Sequence, residues 1–410
     1  MKYFGTDGIR GVYGENLTDR LAYRAGLAAS QFFGDCFVGM DTRSSGEALV
    51  AALAAGLMQG GCNVKIVGIV PTPCISFLAA RHGVGGIMVS ASHNPPEYNG
   101  LKFFSSKGYK LTAFFESSIE EYIDKPPARV GGGNIIAYKE GRDEYINWLV
   151  GVIGDLSGKE ISLDCAHGAA ITVAEEAFAR CGANVKLYAA EKDGSKINCG
   201  VGALHPEHIA SKTTGLGFAF DGDADRLAVT NGGILDGDSV LYNLSLLLSP
   251  RGVAGTVMNN IALENELKRK GVEFIRTAVG DKNISEAMRR HGFTLGGEQS
   301  GHYIISPSVS GDALFAALML SKMDEFMRLK LVPQKVVSIE SAPEVLSCAK
   351  FVRSREECEK RLLGIGRLVV RMSGTEPKIR LMAECEDVNL LNEIIGSLSE
   401  TISICNKELI

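Results

Sequence analysis

The sequence predicts an α/β fold in which three tandem mixed-sheet α/β domains are followed by a smaller α+β domain, all arranged around a central cleft. Its 410 residues exceed what a single hydrophobic core usually organises. Helical and strand patterns alternate along most of the chain, as in domains built from βα units. Each of the four units also carries a glycine-tipped polar loop directly after a strand, where open α/β sheets bind ligands. We therefore expect four loops to meet at one cleft.

Breaks in this pattern divide the chain into four domains. A run of glycines at 131–133 follows Pro126 and Pro127 and marks the first boundary. The alternation starts again near Gly233, and after about Pro333 it changes to strand, helix, strand, strand, helix. The predicted domains are 1–133, 134–232, 233–335 and 336–410.

Hydrophobic periodicity predicts the elements of each domain. Thr18 is a suitable N-cap for a helix that extends to Phe33. In the first domain we also predict strands at 37–40, 64–70 and 86–89 and helices at 45–60 and 75–82. The second domain has predicted strands at 161–164, 185–188 and 216–220 and a helix at 172–181. The third has strands at 255–258, 274–279 and 293–297 and helices at 262–270 and 284–291, and the last has strands at 368–372 and 379–384.

Composition and charge indicate which kinds of molecule the protein binds. The chain has 45% hydrophobic and 22% charged residues, as a globular protein does. Its net charge of -5 argues against a surface that neutralises nucleic-acid phosphates. No stretch approaches the ~20 apolar residues of a membrane span, and the N-terminus lacks the apolar core of a signal peptide. We expect a cytoplasmic protein with small-molecule partners, no nucleic acid and no membrane; the sequence leaves the oligomeric state open and allows a homodimer.

The ten cysteines predict buried free thiols. No two of them have the C-x-x-C spacing of zinc or redox sites. Most lie in apolar runs, as Cys36, Cys165 and Cys405 do. A reducing cytoplasm would leave them unpaired.

The first polar loop contains Ser92, in the segment Ser90-Ala91-Ser92-His93-Asn94-Pro95. A serine at a strand end can act as a nucleophile if it is activated or already phosphorylated. Taken alone, the segment is more typical of an Asn-Pro turn that ends a strand, because His93 adjoins Ser92 and is poorly placed to act as its base. If Ser92 carries a phosphoryl group, His93 and Lys102 are candidates to stabilise its charge.

The second loop contains Asp221, Asp223 and Asp225, three carboxylates at alternate positions after an apolar strand. Such a concentration of negative charge is costly without a cation, and carboxylate oxygens select hard ions such as Mg²⁺. A calcium EF-hand would need glycine and glutamate where this chain has Arg226 and Gly232. The alternative is a solvated acidic turn.

Magnesium usually takes phosphate oxygens as further ligands, and a phosphorylated Ser92 could supply one. The three aspartates would then polarise the phosphorus for transfer through the metal, and Arg226 could stabilise the equatorial oxygens.

The third loop contains Glu298, Ser300 and His302 between two glycine-rich turns. Its carboxylate, hydroxyl and imidazole groups suit the recognition of sugar hydroxyls. An ordinary turn between two strands is an equal alternative.

The fourth loop contains the turn Ser373-Gly374-Thr375 flanked by Arg371 and Arg380. Backbone N–H groups, two hydroxyls and two guanidinium groups form a candidate phosphate site. The alternative is a hairpin with solvated arginines.

The sequence resembles the α-D-phosphohexomutase family over nearly the whole chain, through five motifs that occur in the family order. The motifs are Gly5-Thr6-Asp7-Gly8-Ile9-Arg10-Gly11, Ala91-Ser92-His93-Asn94-Pro95, Asp221 to Arg226, Gly297 to His302, and Ser373 to Pro377. The resemblance implies a four-domain fold with a central cleft, a phosphoserine at Ser92, and one Mg²⁺ per chain. The implied metal ligands are Asp221, Asp223, Asp225 and a phosphoserine oxygen.

The resemblance also implies roles for other residues. Arg10 and Lys102 match positions near the reacting phosphate, with Lys102 a candidate general base. The implied sugar-reading residues are Glu298 and Ser300, and the implied grip on the non-reacting phosphate is Arg371, Ser373, Thr375 and Arg380. In the family reaction the serine phosphoryl passes to the substrate, the bisphosphate turns around, and the other phosphate is taken back, with a hexose bisphosphate as primer.

The third loop also bears on the substrate. The sequence Glu298-Gln299-Ser300-Gly301-His302 is similar to the branch of the family that acts on glucosamine phosphate, whereas phosphomannomutase/phosphoglucomutase members more often have methionine in place of Gln299. The resemblance therefore implies interconversion of glucosamine 6-phosphate and glucosamine 1-phosphate. Met372, where proline is usual, departs from that branch. The alternatives are a phosphomannomutase/phosphoglucomutase, a sugar-phosphate binding protein without turnover, and a metal-dependent phosphatase.

Overall fold

The computed structural model describes residues 2–5, 7–128, 131–373 and 377–408. It contains two compact units. The large unit comprises residues 1–256 and 272–328, and the small unit comprises residues 257–271 and 329–410. None of the helices in these described stretches combines the length and apolar character needed to cross a membrane.

The first sheet of the large unit has seven strands in the order β1-β2-β6-β5-β3-β4-β7. The strands are β1 (Phe4–Gly5), β2 (Gly8–Val12), β3 (Asp35–Met40), β4 (Asn63–Ile69), β5 (Gly85–Val89), β6 (Tyr98–Phe104) and β7 (Ile135–Ala137). The accompanying helices are α1 (Asp19–Ala29), α2 (Gly46–Gln59), α3 (Thr72–His82), α4 (Ala113–Asp124) and α5 (Glu140–Ile153). Strand β3 is parallel to β4 and β5, whereas β6 is antiparallel to β5 and β2. The sheet is therefore mixed.

Helices α1 and α2 pack unusually closely. Thr18 caps α1 as the sequence predicts, because its hydroxyl accepts a hydrogen bond from the Leu21 N–H at 3.2 Å. A Cβ atom added at Gly56 would lie 2.0 Å from the carbonyl oxygen of Tyr23 on α1. Glycine at this position is thus a requirement of the close contact between the two helix backbones.

The second sheet has the strand order β12-β11-β10-β8-β9. The strands are β8 (Glu160–Asp164), β9 (Asn184–Tyr188), β10 (Gly217–Phe220), β11 (Leu227–Thr230) and β12 (Ile234–Leu235), and the helices are α6 (Ala174–Arg180) and α7 (Pro206–Ala210). Strand β8 is parallel to β9 and β10, and β10 turns back into β11 as an antiparallel pair.

The third sheet, also in the large unit, repeats this arrangement in the order β14-β13-β15-β16. Its elements are α8 (Gly237–Leu248), β13 (Gly252–Thr256), β14 (Glu273–Thr277), α10 (Asp281–His291), β15 (Leu295–Gly297), β16 (Tyr303–Ile305) and α11 (Ala313–Leu320). Strand β13 is parallel to β14 and β15, and β15 pairs antiparallel with β16. In all three sheets a buried strand thus leads through a polar loop into an antiparallel neighbour.

The small unit is an α+β structure with an antiparallel sheet in the order β17-β19-β18. Its elements are α9 (Ile261–Arg269), β17 (Gln334–Glu340), α12 (Ala349–Leu362), β18 (Gly366–Met372), β19 (Lys378–Cys385) and α13 (Val388–Glu408). The core of this unit contains Phe351, Leu381 and Ile394, all fully buried. Alternate residues of β19 supply one side of this core, as expected for a sheet covered on one face.

The predicted fold class is confirmed: three mixed α/β sheets precede an antiparallel α+β unit. The boundaries at 133, 232 and 335 stay a prediction. Strand β7 pairs with β4 and so belongs to the first sheet, although it begins at Ile135. No strand was predicted between Pro95 and the glycines at 131–133, whereas residues 98–104 form β6 and pair with two strands.

We predict opposite effects for two helical glycines. Gly56→Ala should lower the free energy of unfolding by about 1–3 kcal/mol, because the new methyl group meets the backbone of α1. Gly151→Ala is the matched control, since Gly151 is an exposed residue of α5 with open space at its Cβ position. That change should raise stability by up to about 1 kcal/mol through helix propensity. Urea unfolding measures the free energy of unfolding of both variants. Equal changes in that free energy would contradict the close packing of α1 and α2.

Candidate functional site

Ser92 lies at the turn between β5 and β6, in a conformation that is uncommon for a residue with a side chain. Its φ angle is 54°, in the left-handed region. The side chain is fully buried. Its hydroxyl donates a hydrogen bond to Asp221 and lies 3.3 Å from Asp225 Oδ1. The structure therefore brings the predicted serine directly against the predicted metal loop.

Arg43 holds the serine loop in this conformation. One terminal nitrogen donates to the carbonyl oxygens of Ser92 and Asn94, at 2.9 and 2.7 Å. The other donates to the carbonyl oxygens of Pro95 and Tyr98. A planar guanidinium with five N–H donors can satisfy several carbonyl groups at once. Arg43 thus fixes the whole turn.

Asp41 completes this support. Its carboxylate pairs with Arg43 Nε at 3.0 Å and accepts a hydrogen bond from Ser90 Oγ at 2.6 Å. Ser90 Oγ in turn accepts the Ser92 N–H at 2.8 Å. Neither Asp41 nor Arg43 was predicted from the sequence. An Asp-Thr-Arg segment directly after the apolar strand β3 was the available signal, since an acid and a base two residues apart at a buried strand end require partners.

The aspartate loop lies between β10 and β11. Asp221 and Asp223 are fully buried and Asp225 nearly so. One carboxylate oxygen from each residue lies within 4.8 Å of the other two, as binding to a single shared metal ion requires. A Cβ atom added at Gly222 would lie 2.6 Å from the carbonyl oxygen of Ser92. The smallest residue between two aspartates is therefore what allows the two loops to touch.

The chemistry of these carboxylates fits a divalent cation. Burial, together with the negative charges of Asp225 and Asp223, raises the pKa of Asp221 to about 7. Asp223 Oδ1 is buried and has no hydrogen-bond partner among the described residues. A buried carboxylate oxygen without a partner is costly, and a hard cation would satisfy it. The three residues therefore form a candidate Mg²⁺ site.

Lys102 supplies positive charge to the same carboxylates. It lies on β6, is almost fully buried, and its Nζ is 2.7 Å from both Asp223 Oδ2 and Asp225 Oδ2. Burial acts to lower its pKa, but the charges of Asp223 and Asp225 outweigh that effect and raise the pKa well above its ordinary value. In this arrangement Lys102 keeps its proton.

A second set of charges extends outward from Lys102. Asp7 lies 3.3 Å from Lys102 Nζ and also pairs with Arg10 and Lys110. Burial acts to raise the pKa of Asp7, but Lys102, Lys110 and Arg10 hold it well below its usual range. Lys110 also contacts Asp281 at 2.7 Å. Asp7 thus orients Arg10 and Lys102 beside the three aspartates.

His93 is a neutral group in this environment. Burial and the charges of Arg226 and Arg10 lower its pKa to about 3. Its Nδ1 lies 3.4 Å from Ser92 Oγ. It can therefore donate or accept a hydrogen bond near a phosphoryl group, but the positive charge there comes from the arginines and Lys102.

The third loop joins β15 to β16 and meets the aspartate loop. His302 Nε2 is 3.2 Å from Asp225 Oδ1, and although burial acts to lower its pKa, Asp225 raises it. Glu298 Oε1 accepts the Gly280 N–H at 2.8 Å, and Ser300 donates to Glu298 Oε2 at 3.0 Å. His302 thus belongs to the charged site, whereas Glu298 and the exposed Ser300 form a polar pair beside it.

The fourth loop is part of the small unit, at the turn between β18 and β19. Arg371 and Arg380 are directly opposite in the register of these strands. A guanidinium group is suited to planar binding of a phosphate, so the two arginines form a candidate anion site. The Ser373 N–H donates to the Lys378 carbonyl at 2.7 Å, and Ser373 Oγ is buried without a hydrogen-bond partner in the described part of the chain. The predicted residues Gly374 and Thr375 lie outside the described residues.

Comparisons with known proteins point to one family. Models of the phosphoglucomutase/phosphomannomutase family match the chain in three regions: α/β/α domain I at residues 1–129, α/β/α domain III at residues 236–329, and the C-terminal domain at residues 326–400. A phosphoglucosamine mutase of Thermotoga neapolitana is 39% identical, over 98% of this chain and 99% of that protein. One of Clostridium acetobutylicum is 38% identical, over 98% of both chains.

Solved structures of similar fold come from the same family or share its fold. A phosphoglucomutase/phosphomannomutase family protein of Burkholderia thailandensis is 26% identical, with a TM-score of 0.83 over 98% of this chain and 97% of that chain. The Aspergillus fumigatus N-acetylphosphoglucosamine mutase, solved with GlcNAc-6P and magnesium, is 16% identical, with a TM-score of 0.70 over 98% and 96% of the two chains. At that identity the second similarity concerns the fold alone.

We predict that the aspartate loop binds a divalent cation. With Mn²⁺ as the probe, Asp223→Asn should weaken binding by at least about tenfold, in line with changes to metal-site residues. Asp143→Asn is the control, because that carboxylate belongs to an exposed side chain of α5. Electron paramagnetic resonance of free Mn²⁺ gives the Kd of each variant. Equal Kd values for the two variants would refute the site.

Proposed function

Because the chain belongs to the phosphoglucomutase/phosphomannomutase family, we propose that it interconverts glucosamine 6-phosphate and glucosamine 1-phosphate through a phosphorylated Ser92 and a bisphosphate intermediate. The chain is an enzyme of the isomerase class that moves a phosphoryl group within a sugar phosphate. The identity with proteins named phosphoglucosamine mutase, 38% to 40% over 98% of this chain, supports the amino sugar as substrate.

The observation that carries this proposal is the contact between Ser92 and the aspartate loop. An Asn-Pro turn that merely ended a strand would need neither a buried hydroxyl nor three carboxylates around it. A solvated acidic turn would be exposed, whereas these carboxylates are buried and one oxygen lacks a partner among the described residues. The buried serine hydroxyl and the buried carboxylates are together explained by a nucleophilic oxygen beside a metal site.

Magnesium held by Asp221, Asp223, Asp225 and an oxygen on Ser92 would neutralise charge on the transferring phosphoryl group. The residues of this chain supply the rest. Asp7 pairs with Arg10 beside Ser92, so that the guanidinium group can stabilise the phosphoryl oxygens.

Other residues position the sugar phosphate around the reacting group. We assign Arg226 to the phosphoryl oxygens and His93 to a neutral hydrogen bond with them, because Arg226 helps to keep His93 uncharged. Glu298 and Ser300 offer a carboxylate and a hydroxyl to sugar hydroxyls, and His302 ties that loop to Asp225. The residues proposed for the non-reacting phosphate are Arg371, Ser373, Gly374, Thr375 and Arg380.

The two transfers share one set of groups. The Ser92 phosphoryl passes to the free hydroxyl of the sugar, and the bisphosphate then presents its other phosphate to the Ser92 oxygen. We propose Lys102 as the base that takes the hydroxyl proton; a metal ion held by Asp223 and Asp225 would reduce the carboxylate charge that keeps Lys102 protonated. A hexose bisphosphate would restore phosphoserine that is lost by hydrolysis. The cytoplasmic location and a homodimer stay predictions.

Gln299 is the residue with which we test the substrate. The kcat/KM with glucosamine phosphate should exceed that with mannose or glucose phosphate, and Gln299→Met should reduce the ratio by about tenfold, the size of a single pocket contact. Gln31→Met, far along the chain in an exposed position, is the control. An equal or higher kcat/KM with mannose or glucose phosphate would contradict the amino sugar as the preferred substrate. Net release of inorganic phosphate would identify a phosphatase instead.

Ser92 phosphorylation is tested by intact mass. Incubation with a hexose bisphosphate should add one phosphate-sized increment to the wild-type protein and none to Ser92→Ala, which should also lose mutase activity. Ser106→Ala, a change at an exposed serine after β6, should behave like the wild type. An increment that persists in Ser92→Ala would refute the assignment, and a protein without turnover or phosphorylation would support a binding function.

A further inference from the structure

Two cysteines of the small unit lie close together where the first turn of α12 meets the last turns of α13. The Sγ atoms of Cys348 and Cys405 are 2.6 Å apart, and both residues are free cysteines. A disulfide bond needs about 2.05 Å between the sulfur atoms, so that a small movement would bring them to bonding distance. The contact joins residues that are 57 positions apart in the chain.

The two helices are already held together at this end. Lys350 in α12 pairs with Glu408 in α13, and Thr401 in α13 donates a hydrogen bond to Ser354 Oγ in α12 at 3.3 Å. The Phe351 side chain, in the same turn as Lys350, is fully buried in the core of the unit. The packing therefore places the two sulfur atoms next to each other.

The environments of the two thiols differ in a way that suits thiol–disulfide exchange. Cys348 is half-buried and is the N-cap of α12. A hydrogen bond from Cys405, with backbone N–H groups of Phe351 and Lys350, lowers the pKa of the Cys348 thiol. Burial raises the pKa of Cys405 to about 11. Cys348 is thus the accessible nucleophile, and Cys405 the neighbour that can resolve an adduct on it.

Other thiols of the chain lack this combination. Cys36, Cys62, Cys74 and Cys165 are buried, and burial raises the pKa of each one. Cys199 is exposed, but its thiol contacts the backbone oxygens of Ser195 and Ile197. Buried thiols of raised pKa are inert towards oxidants, so oxidation should select the Cys348 pair.

We propose that Cys348 and Cys405 are a site of reversible oxidation, at which a small-molecule disulfide converts the two thiols into an intramolecular disulfide between α12 and α13. The Cys348 thiolate attacks one sulfur of the small disulfide, a mixed disulfide forms, and one small thiolate leaves. The Cys405 thiol loses its proton and attacks Cys348 Sγ, and the second small thiolate leaves. Two protein thiols are oxidised, and one small disulfide is reduced to two thiols.

The bond would close a loop that contains α12, β18, β19 and most of α13. A cross-link of this span restricts the unfolded chain and therefore stabilises the folded unit. Since β18 and β19 carry Arg371 and Arg380, the stabilised segment includes the proposed phosphate grip.

The full-length protein treated with oxidised glutathione tests the site. After alkylation of the remaining thiols, intact mass should show two fewer reactive cysteines, and non-reducing peptide mapping should find Cys348 joined to Cys405. Cys348→Ser should abolish the link, Cys199→Ser should leave it intact, and dithiothreitol should reverse it. The oxidised wild-type protein should melt several degrees above the reduced one, with no such rise in Cys348→Ser.

Three outcomes would overturn the proposal. They are a stable glutathione adduct on Cys348 beside a free Cys405, a link that involves other cysteines, and no loss of reactive thiols. Because peptide mapping uses the wild-type protein, the result does not depend on whether Cys405→Ser, a change at a buried position, folds.

Discussion

The buried negative charge of Asp221, Asp223 and Asp225 is the constraint to which the rest of the large unit's site responds. Three carboxylates in one turn cannot all ionise in a buried place without compensation, and the chain supplies it through Lys102 and His302. Lys102 in turn forms an ion pair with Asp7, and Asp7 also pairs with Arg10 and Lys110. The charges alternate outward from the triad, and this alternation is the reason that cations from distant segments converge there.

The serine side of the site depends on backbone geometry as well as on charge. Ser92 and Ala224 both have φ angles of 54°, so the two turns that face each other are both strained. The strain is held by bonds to the carbonyl groups of the serine loop, from Arg43 and from Asn198, whose amide nitrogen is 2.9 Å from the Ser92 oxygen. The close contact at Gly222 shows that the two turns are fitted to each other.

The order of strands and helices followed from the sequence because apolar periodicity reports local structure, and most predicted strands lie within a few residues of the observed ones. The aspartate loop was also predictable, because three carboxylates so close together after an apolar strand are costly without a cation. Strand β6 was not predicted because Asn99 and Gly100 interrupt its apolar residues. It forms a strand through pairing with β2 and β5. Arg43 and Asp7 act through contacts with residues about 50 to 100 positions away, which no local pattern records.

The hairpin that carries residues 298–302 has both ends fixed by the pairing of β15 with β16. Substitutions at residues 298–301 should therefore leave the strands in register, and Ser92 lies on another sheet. His302 is the side chain that links the tip to the charged centre. If residues 298–301 recognise the sugar, as proposed, the preferred sugar can change by substitution in this short segment while His302 and the aspartate loop stay the same.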